Sequence, residues 1–182
     1  RKADTITMSN RPEALYGLLL ESKNNPSVCV ILVHGGKSNH DGYVVLHLSN
    51  GLNAYGYTTL SIDNPVPVGG ISTDNYRANE STIENRVYSY FNAAVDSLVA
   101  SNSNINTIIV GGCGLGSRFA LATAAASEQG LININHNVTI GGLLSISTRT
   151  TIGDTQPTTA GDINVFDTAN NLGLISSLPV LD

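Results

Sequence analysis

Residues 107–117 have the sequence TIIVGGCGLGS, and this stretch decides the fold. The segment Asn106–Val110 is mostly apolar and β-branched, which predicts a strand buried on both faces. Glycine follows at four of the next six positions. An alanine-rich segment from about Ser117 to Gln129 then predicts a helix that Gly130 ends. The stretch is therefore predicted to be a strand, a sharp glycine-rich turn and a helix.

The same alternation of strands and helices continues on either side. Apolar segments of strand length lie at residues 13–23, Val28–Val33, Tyr57–Ile62, Val138–Ile146 and Leu178–Leu181. Helical spacing of apolar residues predicts helices after Val44, from Ser81 to about Asn102, and shortly before Ser177. Ser81 and Glu84 have the spacing of a capping box, which would start the second helix at Ser81. This order predicts one α/β domain over residues 1–182, with a mostly parallel central sheet and helices on both faces.

The composition argues against several classes of function. The chain has 9 Lys and Arg against 14 Asp and Glu, a formal net charge of −5. With no cluster of basic residues, it does not resemble a nucleic-acid groove or a binder of anionic membranes. No apolar run approaches the ~20 residues of a membrane span. Cys29 and Cys113 are predicted at opposite ends of neighbouring strands, ~16 Å apart, and therefore as two free thiols.

Two glycine sites invite phosphate-binding interpretations that the spacing does not support. Gly36-Lys37-Ser38 resembles the end of a phosphate-binding loop, but the first glycine of that motif falls on Ile31, inside a predicted strand. Gly112-x-Gly114-x-x-Ser117 approaches a dinucleotide fingerprint. It lies in the third strand–helix unit, however, and no acidic residue ends the next strand. No cofactor is therefore predicted.

Taken together, these segments resemble the α/β-hydrolase superfamily. The resemblance covers nearly the whole chain, in the order VILVHG at 30–35, GLNAYGYTTL at 51–60, the glycine turn after Val110, and LPVL at 178–181. The turn is similar to that of a poorly characterised bacterial subgroup with a Gly-x-Gly-x-Gly elbow. The resemblance implies that the backbone N–H of Gly36, after His34 and Gly35, faces a developing oxyanion.

The nucleophile elbow departs from the superfamily pattern Gly-x-Ser-x-Gly. Aligning Gly112 and Gly116 with the two elbow glycines puts Gly114 at the nucleophile position, where it offers no nucleophilic atom. Shifting the alignment by one residue makes Cys113 the nucleophile and puts Leu115 where the second glycine belongs. The Gly114 alignment is preferred. Ser117 is interpreted as a packing residue or hydrogen-bond donor at the helix start.

The acid and base of a hydrolase are not evident in the sequence. The family's acid follows the Pro-Val-Leu strand and its histidine comes later, so the C-terminal strands are expected to be missing after Asp182. Asp154 and Asp162 are possible substitutes, interpreted as exposed loop residues. The histidines show no zinc-site spacing, and no metal is predicted. His34 is expected to be a structural hydrogen-bonder, and the other three are assigned to surface or loop positions: His40, His47 and His136.

Two hypotheses of function follow. The first is a non-catalytic α/β-hydrolase-fold protein that serves as a structural or binding subunit of a bacterial envelope or secretion assembly. It predicts protein partners and a periplasmic or extracellular location, with the cytoplasm as the alternative. The second is an esterase- or thioesterase-type hydrolase in which Cys113 attacks an acyl carbonyl, while the N–H groups of Gly36 and Gly114 hold the oxyanion.

Overall fold

The computed structural model describes residues 4–8, 15–24, 26–35, 39–64, 80–146 and 168–181. The strands are β1 (Asp4–Met8), β2 (Leu15–Leu20), β3 (Val28–Val33), β4 (Thr58–Ile62), β5 (Thr107–Cys113), β6 (Thr139–Ile146) and β7 (Val180–Leu181). The helices are α1 (Tyr43–Ala54), α2 (Glu80–Ser101), α3 (Leu115–Glu128) and α4 (Thr168–Leu174), with a short 3₁₀ turn at Asn135–Asn137. No helix in these ranges is both long and apolar enough to cross a membrane.

The seven strands form one sheet in the order β1-β2-β4-β3-β5-β6-β7. Strands β1 and β2 are antiparallel to their neighbours, and β4, β3, β5, β6 and β7 run parallel. The predicted α/β fold with a mostly parallel sheet is therefore confirmed. Strand β1 has no counterpart in the sequence prediction, because a five-residue segment carries too short an alternation to stand out.

The central strand β3 is buried on both faces, as its continuous apolar run predicts. Val30 and Leu32 pack with Val45 of α1 on one face of the sheet. Ile31 and Val33 face the larger core, to which α2 and α3 contribute. The helices consequently cover both faces, and the carboxyl ends of the parallel strands meet at one edge.

The sequence prediction was wrong about two element ends. Helix α2 already includes Glu80, so Ser81 lies inside the helix and is not its N-cap. Glu84 instead accepts a hydrogen bond from the Tyr88 hydroxyl, one turn later. Strand β5 extends to Cys113, three residues beyond the predicted end, because glycines can continue a parallel ladder wherever their carbonyl and N–H groups find partners.

The cysteine prediction is confirmed by the register of the two central strands. Cys29 pairs with Ile108 across β3 and β5, while Cys113 lies five residues further along β5. Both cysteines are free thiols. Burial raises the pKa of the Cys29 thiol to about 11, although a hydrogen bond with Thr58 acts in the opposite direction. Cys29 is therefore an unreactive core residue.

Helix α3 begins in direct contact with the end of strand β3. A Cβ atom on Gly116 would overlap the carbonyl oxygen of Val33 and lie 2.6 Å from that of His34. A Cβ atom on Gly112 would lie 2.6 Å from the same Val33 oxygen. Both glycines are therefore required by this close approach, which holds α3 against the carboxyl edge of the sheet.

Gly116→Ala is expected to lower the free energy of unfolding by about 3 kcal/mol, because the clashing atoms belong to backbone that cannot move aside. The matched control is Gly51→Ala in α1, where nothing lies within 4 Å of the added methyl group. That change is expected to stabilise the helix by ~0.5–1 kcal/mol. Urea unfolding of both variants measures the difference, and equal stabilities would contradict the close approach.

Candidate functional site

The candidate site lies where the parallel strands β4, β3 and β5 end. Val33 of β3 pairs with Ile62 of β4 on one side and with Gly112 of β5 on the other. The next residue after each of these three lies at the carboxyl edge of the sheet: His34 after β3, Asp63 after β4 and Cys113 at the end of β5. Ligand sites of open α/β sheets commonly lie at this edge.

The turn between β5 and α3 has Gly114 at its apex, the position at which the superfamily pattern places its nucleophile. Gly114 has φ 56° and ψ −114°, a conformation that side chains strain to adopt. The nearest atom to an added Cβ would be the Cα of Gly35, 4.0 Å away. The apex therefore faces the start of the loop after β3, with no side chain of the described residues between them.

The structure bears on the two possible alignments of the elbow. Gly112 and Gly116, which tolerate no Cβ atom, flank Gly114 symmetrically. In a nucleophile elbow, the residue after the nucleophile donates its N–H to the oxyanion. The Gly114 N–H already donates to the Ile146 carbonyl, over 2.9 Å, so it cannot serve Cys113 in this way. In the Gly114 alignment that donor is the N–H of Leu115, at the uncapped start of α3.

Ser117 lies one turn into α3 and ties the elbow to strand β6. Its side chain is fully buried. Its hydroxyl donates to the Gly112 carbonyl and accepts the N–H of Ile146 at 3.1 Å. This agrees with the expected role as a buried hydrogen-bonder, and the hydroxyl is not available for attack.

His34 is a buried structural residue, with 6% of its surface exposed. Its Nε2 accepts the Asn64 N–H at 2.8 Å, so the proton lies on Nδ1, which donates to the Gly35 carbonyl. Burial lowers the pKa of His34 and outweighs the opposing effects of the Gly35 hydrogen bond and the Asp63 carboxylate. Both ring nitrogens are occupied, and the ring holds the loop after β4 against the loop after β3.

Sequence reasoning missed a second pair at this edge, His40 with Asp63. His40 was assigned to the surface, but only 19% of its side chain is exposed. Its Nδ1 lies 2.7 Å from Oδ1 of Asp63, and the same oxygen accepts the His40 backbone N–H at 3.0 Å. The one signal for this pair in the sequence is where the two residues lie along the chain. Asp63 directly follows one buried strand, and His40 lies in the loop after the neighbouring strand.

The remaining two histidines lie away from this pair. His47 is exposed on α1, where its ring contacts Tyr43 edge to face, with the centroids 4.1 Å apart. His136 lies before β6, at the opposite edge of the sheet from the elbow, with Nε2 3.0 Å from Asp96. Both therefore occupy the surface positions expected from the sequence.

Several sequence candidates lie outside the described residues: Gly36, Asp154, Asp162 and Asp182. Gly36 therefore stays a prediction as an oxyanion donor, and Asp154 and Asp162 stay predictions as substitute acids. Among the residues that the structure does describe, no group of three or more His, Cys, Asp or Glu side chains is arranged to hold a metal ion.

No protein-family model matches this chain, and no curated protein matches its sequence. Solved structures do match its fold. A dienelactone hydrolase from Anabaena variabilis is 18% identical, with a TM-score of 0.56 over 79% of this chain and 62% of that one. An α/β-hydrolase superfamily protein from Enterococcus faecalis is 17% identical, with a TM-score of 0.57 over 83% and 48%.

An esterase from Pyrococcus furiosus is 15% identical, with a TM-score of 0.57 over 81% of this chain and 50% of that one. At this level of identity the matches establish the fold. The protein therefore has the α/β-hydrolase fold, and the chain spans between about half and three-fifths of the length of these three proteins.

The lowered pKa of His34 predicts a loss of stability in acid. The unfolded chain protonates this ring below about pH 6.5, whereas burial keeps it neutral in the folded protein. The unfolded state thus binds more protons, and the free energy of unfolding falls as the pH drops from that value towards the folded-state pKa.

Replacing His34 with Gln removes this contribution. Urea unfolding at about pH 7.5 and about pH 5.5 should show a smaller pH-dependent loss for His34→Gln than for the unchanged protein. His47→Gln, at an exposed histidine, is the control and should keep the full loss. Equal losses in all three proteins would show that His34 is not buried in its neutral form.

Proposed function

We propose that the protein is an esterase- or thioesterase-type hydrolase, acting where the elbow around Gly114 faces the loop after β3. The observation that carries the proposal is the sharp turn from β5 into α3 at Gly114, since a strand–turn–helix of this kind presents the nucleophile in the α/β-hydrolase fold. The fold, shared with an esterase and a dienelactone hydrolase, supports the same class of reaction.

The elbow offers a place for an acyl carbonyl. The Leu115 N–H lies at the start of α3, where the first N–H groups have no partner within the helix and the helix dipole favours negative charge. An oxyanion that forms above Gly114 would be stabilised there, with Gly36 as the second predicted donor. Departure of the alcohol or thiol would then complete the hydrolysis of the ester or thioester.

The attacking group we propose is water and not the thiol of Cys113. Cys113 lies one residue before the apex, and the N–H that its oxyanion would need is bonded to Ile146. Ser117 is buried with its hydroxyl occupied. Among the described residues, the atom nearest to a Cβ on Gly114 would be the Cα of Gly35, 4.0 Å away, so we place the attacking water above Gly114.

The second candidate is the non-catalytic subunit, and one observation favours it. A glycine at the apex removes the side-chain nucleophile on which covalent catalysis in this fold depends. On that hypothesis the site binds a carbonyl or carboxylate compound without turnover, as part of an envelope or secretion assembly. The two candidates differ in whether bound ester is hydrolysed.

Hydrolysis of p-nitrophenyl acetate by the full chain distinguishes these possibilities. We expect turnover above the buffer rate, with no burst of p-nitrophenol, because attack by water forms no acyl-enzyme. Cys113→Ala should retain the activity within about threefold, and iodoacetamide should not abolish it. A loss of ~100-fold in Cys113→Ala would instead make the thiol the nucleophile. No turnover in any variant would favour the binding subunit.

Two glycines with positive φ provide a matched test of where the reaction occurs. Gly114→Ala places a methyl group in the space above the apex, and activity should fall at least tenfold as water is displaced. Gly130→Ala also puts alanine at a positive φ, 68°, at the far end of α3, where no described residue lies within 4 Å of the added methyl group. It should leave kcat unchanged, and equal losses in both variants would place the reaction elsewhere.

A further inference from the structure

We infer that His40, oriented by Asp63, is the general base that removes a proton from the attacking water at this site. The inference rests on the proposed hydrolase function and deepens it. The resemblance implies a catalytic acid and a histidine that follow the Pro-Val-Leu strand, and neither His40 nor Asp63 is one of these. The pair would therefore supply a general base and its carboxylate partner from within this chain.

The geometry of the pair matches that of a positioned base. Asp63 Oδ1 lies 2.7 Å from Nδ1 of His40 and 3.0 Å from its backbone nitrogen, so one carboxylate oxygen fixes both the ring and the loop that carries it. With the proton on Nδ1, the lone pair of the neutral ring lies on Nε2. No residue in the described part of the chain bonds to Nε2, which is therefore able to accept a proton.

The order of the strands brings this pair next to the elbow. Strand β3 lies between β4 and β5, so the loops that carry Asp63 and His40 end at the same edge as Gly114. His34 connects the two places, since its Nε2 lies 3.8 Å from Asp63 Oδ1 and the next residue, Gly35, faces the apex. Adjacent strands are ~4.8 Å apart, so Asp63 and Gly114 are separated by about two strand spacings, a gap that an imidazole and one water can bridge.

The other histidines do not fit this role. Both ring nitrogens of His34 are occupied, and burial lowers its pKa. His47 is exposed on α1 against Tyr43, and His136 lies at the opposite edge of the sheet. All four histidines of the chain are thereby accounted for. His34 also lies at this edge near Asp63, but of the two only His40 has a ring nitrogen that no described residue occupies.

The reaction balances with water as the second substrate. Nε2 of His40 takes one proton from water while the water oxygen bonds to the acyl carbon, and the carbonyl electron pair moves onto oxygen. The tetrahedral intermediate then reforms its C=O bond and breaks the bond to the leaving alcohol or thiol, which takes the proton from the imidazolium. The Asp63 carboxylate accepts the hydrogen bond of Nδ1 and stabilises that imidazolium. The products are a carboxylic acid and an alcohol or thiol.

The first test compares matched variants of the full chain with p-nitrophenyl acetate. His40→Gln should lower kcat about 100-fold with little change in KM, since general bases contribute ~10²–10⁴ in rate. Asp63→Asn should also lower kcat, because the ring loses the partner that fixes its tautomer. His47→Gln and Asp41→Asn, at exposed positions nearby, are the controls and should keep full activity.

Chemical rescue separates catalysis from folding. Added imidazole should raise the hydrolysis rate of His40→Gly at least tenfold and should not change the rate of His34→Gly. Circular dichroism of each variant checks that the fold is retained. Unchanged kcat in a folded His40→Gln, or a lost rate that imidazole does not restore, would overturn the role of His40 while leaving the hydrolase proposal intact.

A gain-of-function variant keeps the base testable if the unchanged protein has no turnover. Gly114→Ser adds a hydroxyl at the apex, where the nearest described atom to the new Cβ is the Cα of Gly35, 4.0 Å away. A fluorophosphonate should label this serine as the Oγ–P bond forms and fluoride leaves, with His40 taking the hydroxyl proton. Labelling should be at least tenfold slower in Gly114→Ser/His40→Gln than in Gly114→Ser/His47→Gln. Equal rates would contradict the inference.

Discussion

The close approach of helix α3 to the end of strand β3 is the constraint on which the site depends. Gly112 and Gly116 both lie against the Val33 carbonyl with no space for a methyl group. This contact holds the start of α3 over the sheet edge, beside the start of the loop after β3. Any larger residue would tilt the helix away and open the elbow. The two glycines therefore serve the packing of the turn, whatever residue occupies its apex.

A second constraint, the parallel register, decides which side chains meet at that edge. Because Val33, Ile62 and Gly112 lie in one row, the residues that follow them emerge side by side. His34 uses this position to accept a hydrogen bond from the backbone N–H of Asn64, and it thereby joins two loops. The burial of its ring there lowers its pKa. The carboxylate of Asp63 is then free to face His40. One histidine thus supports the structure, while the other keeps a nitrogen available.

The sequence predicted what depends on local pattern and missed what depends on register. The apolar runs, the glycine turn and the end of α3 at Gly130 are each encoded within a few neighbouring residues. The pairing of His40 with Asp63 joins residues 23 apart and requires β4 to lie beside β3, which no local pattern specifies. Helix α2 includes Glu80, one residue before the start predicted from Ser81 and Glu84, because a sequence pattern locates a helix end only to within one or two residues.

The glycine at the apex changes the chemistry of the elbow as well as its strain. A serine at this φ and ψ would cost ~1–3 kcal/mol of backbone strain, which glycine avoids. The same substitution removes the hydroxyl, so no covalent acyl-enzyme can form at the apex and a hydrolase here must work by single displacement. Such a reaction needs only one proton shuttle, because the group that deprotonates water can protonate the leaving group. A single imidazole held by one carboxylate meets that requirement, and His40 with Asp63 is that arrangement.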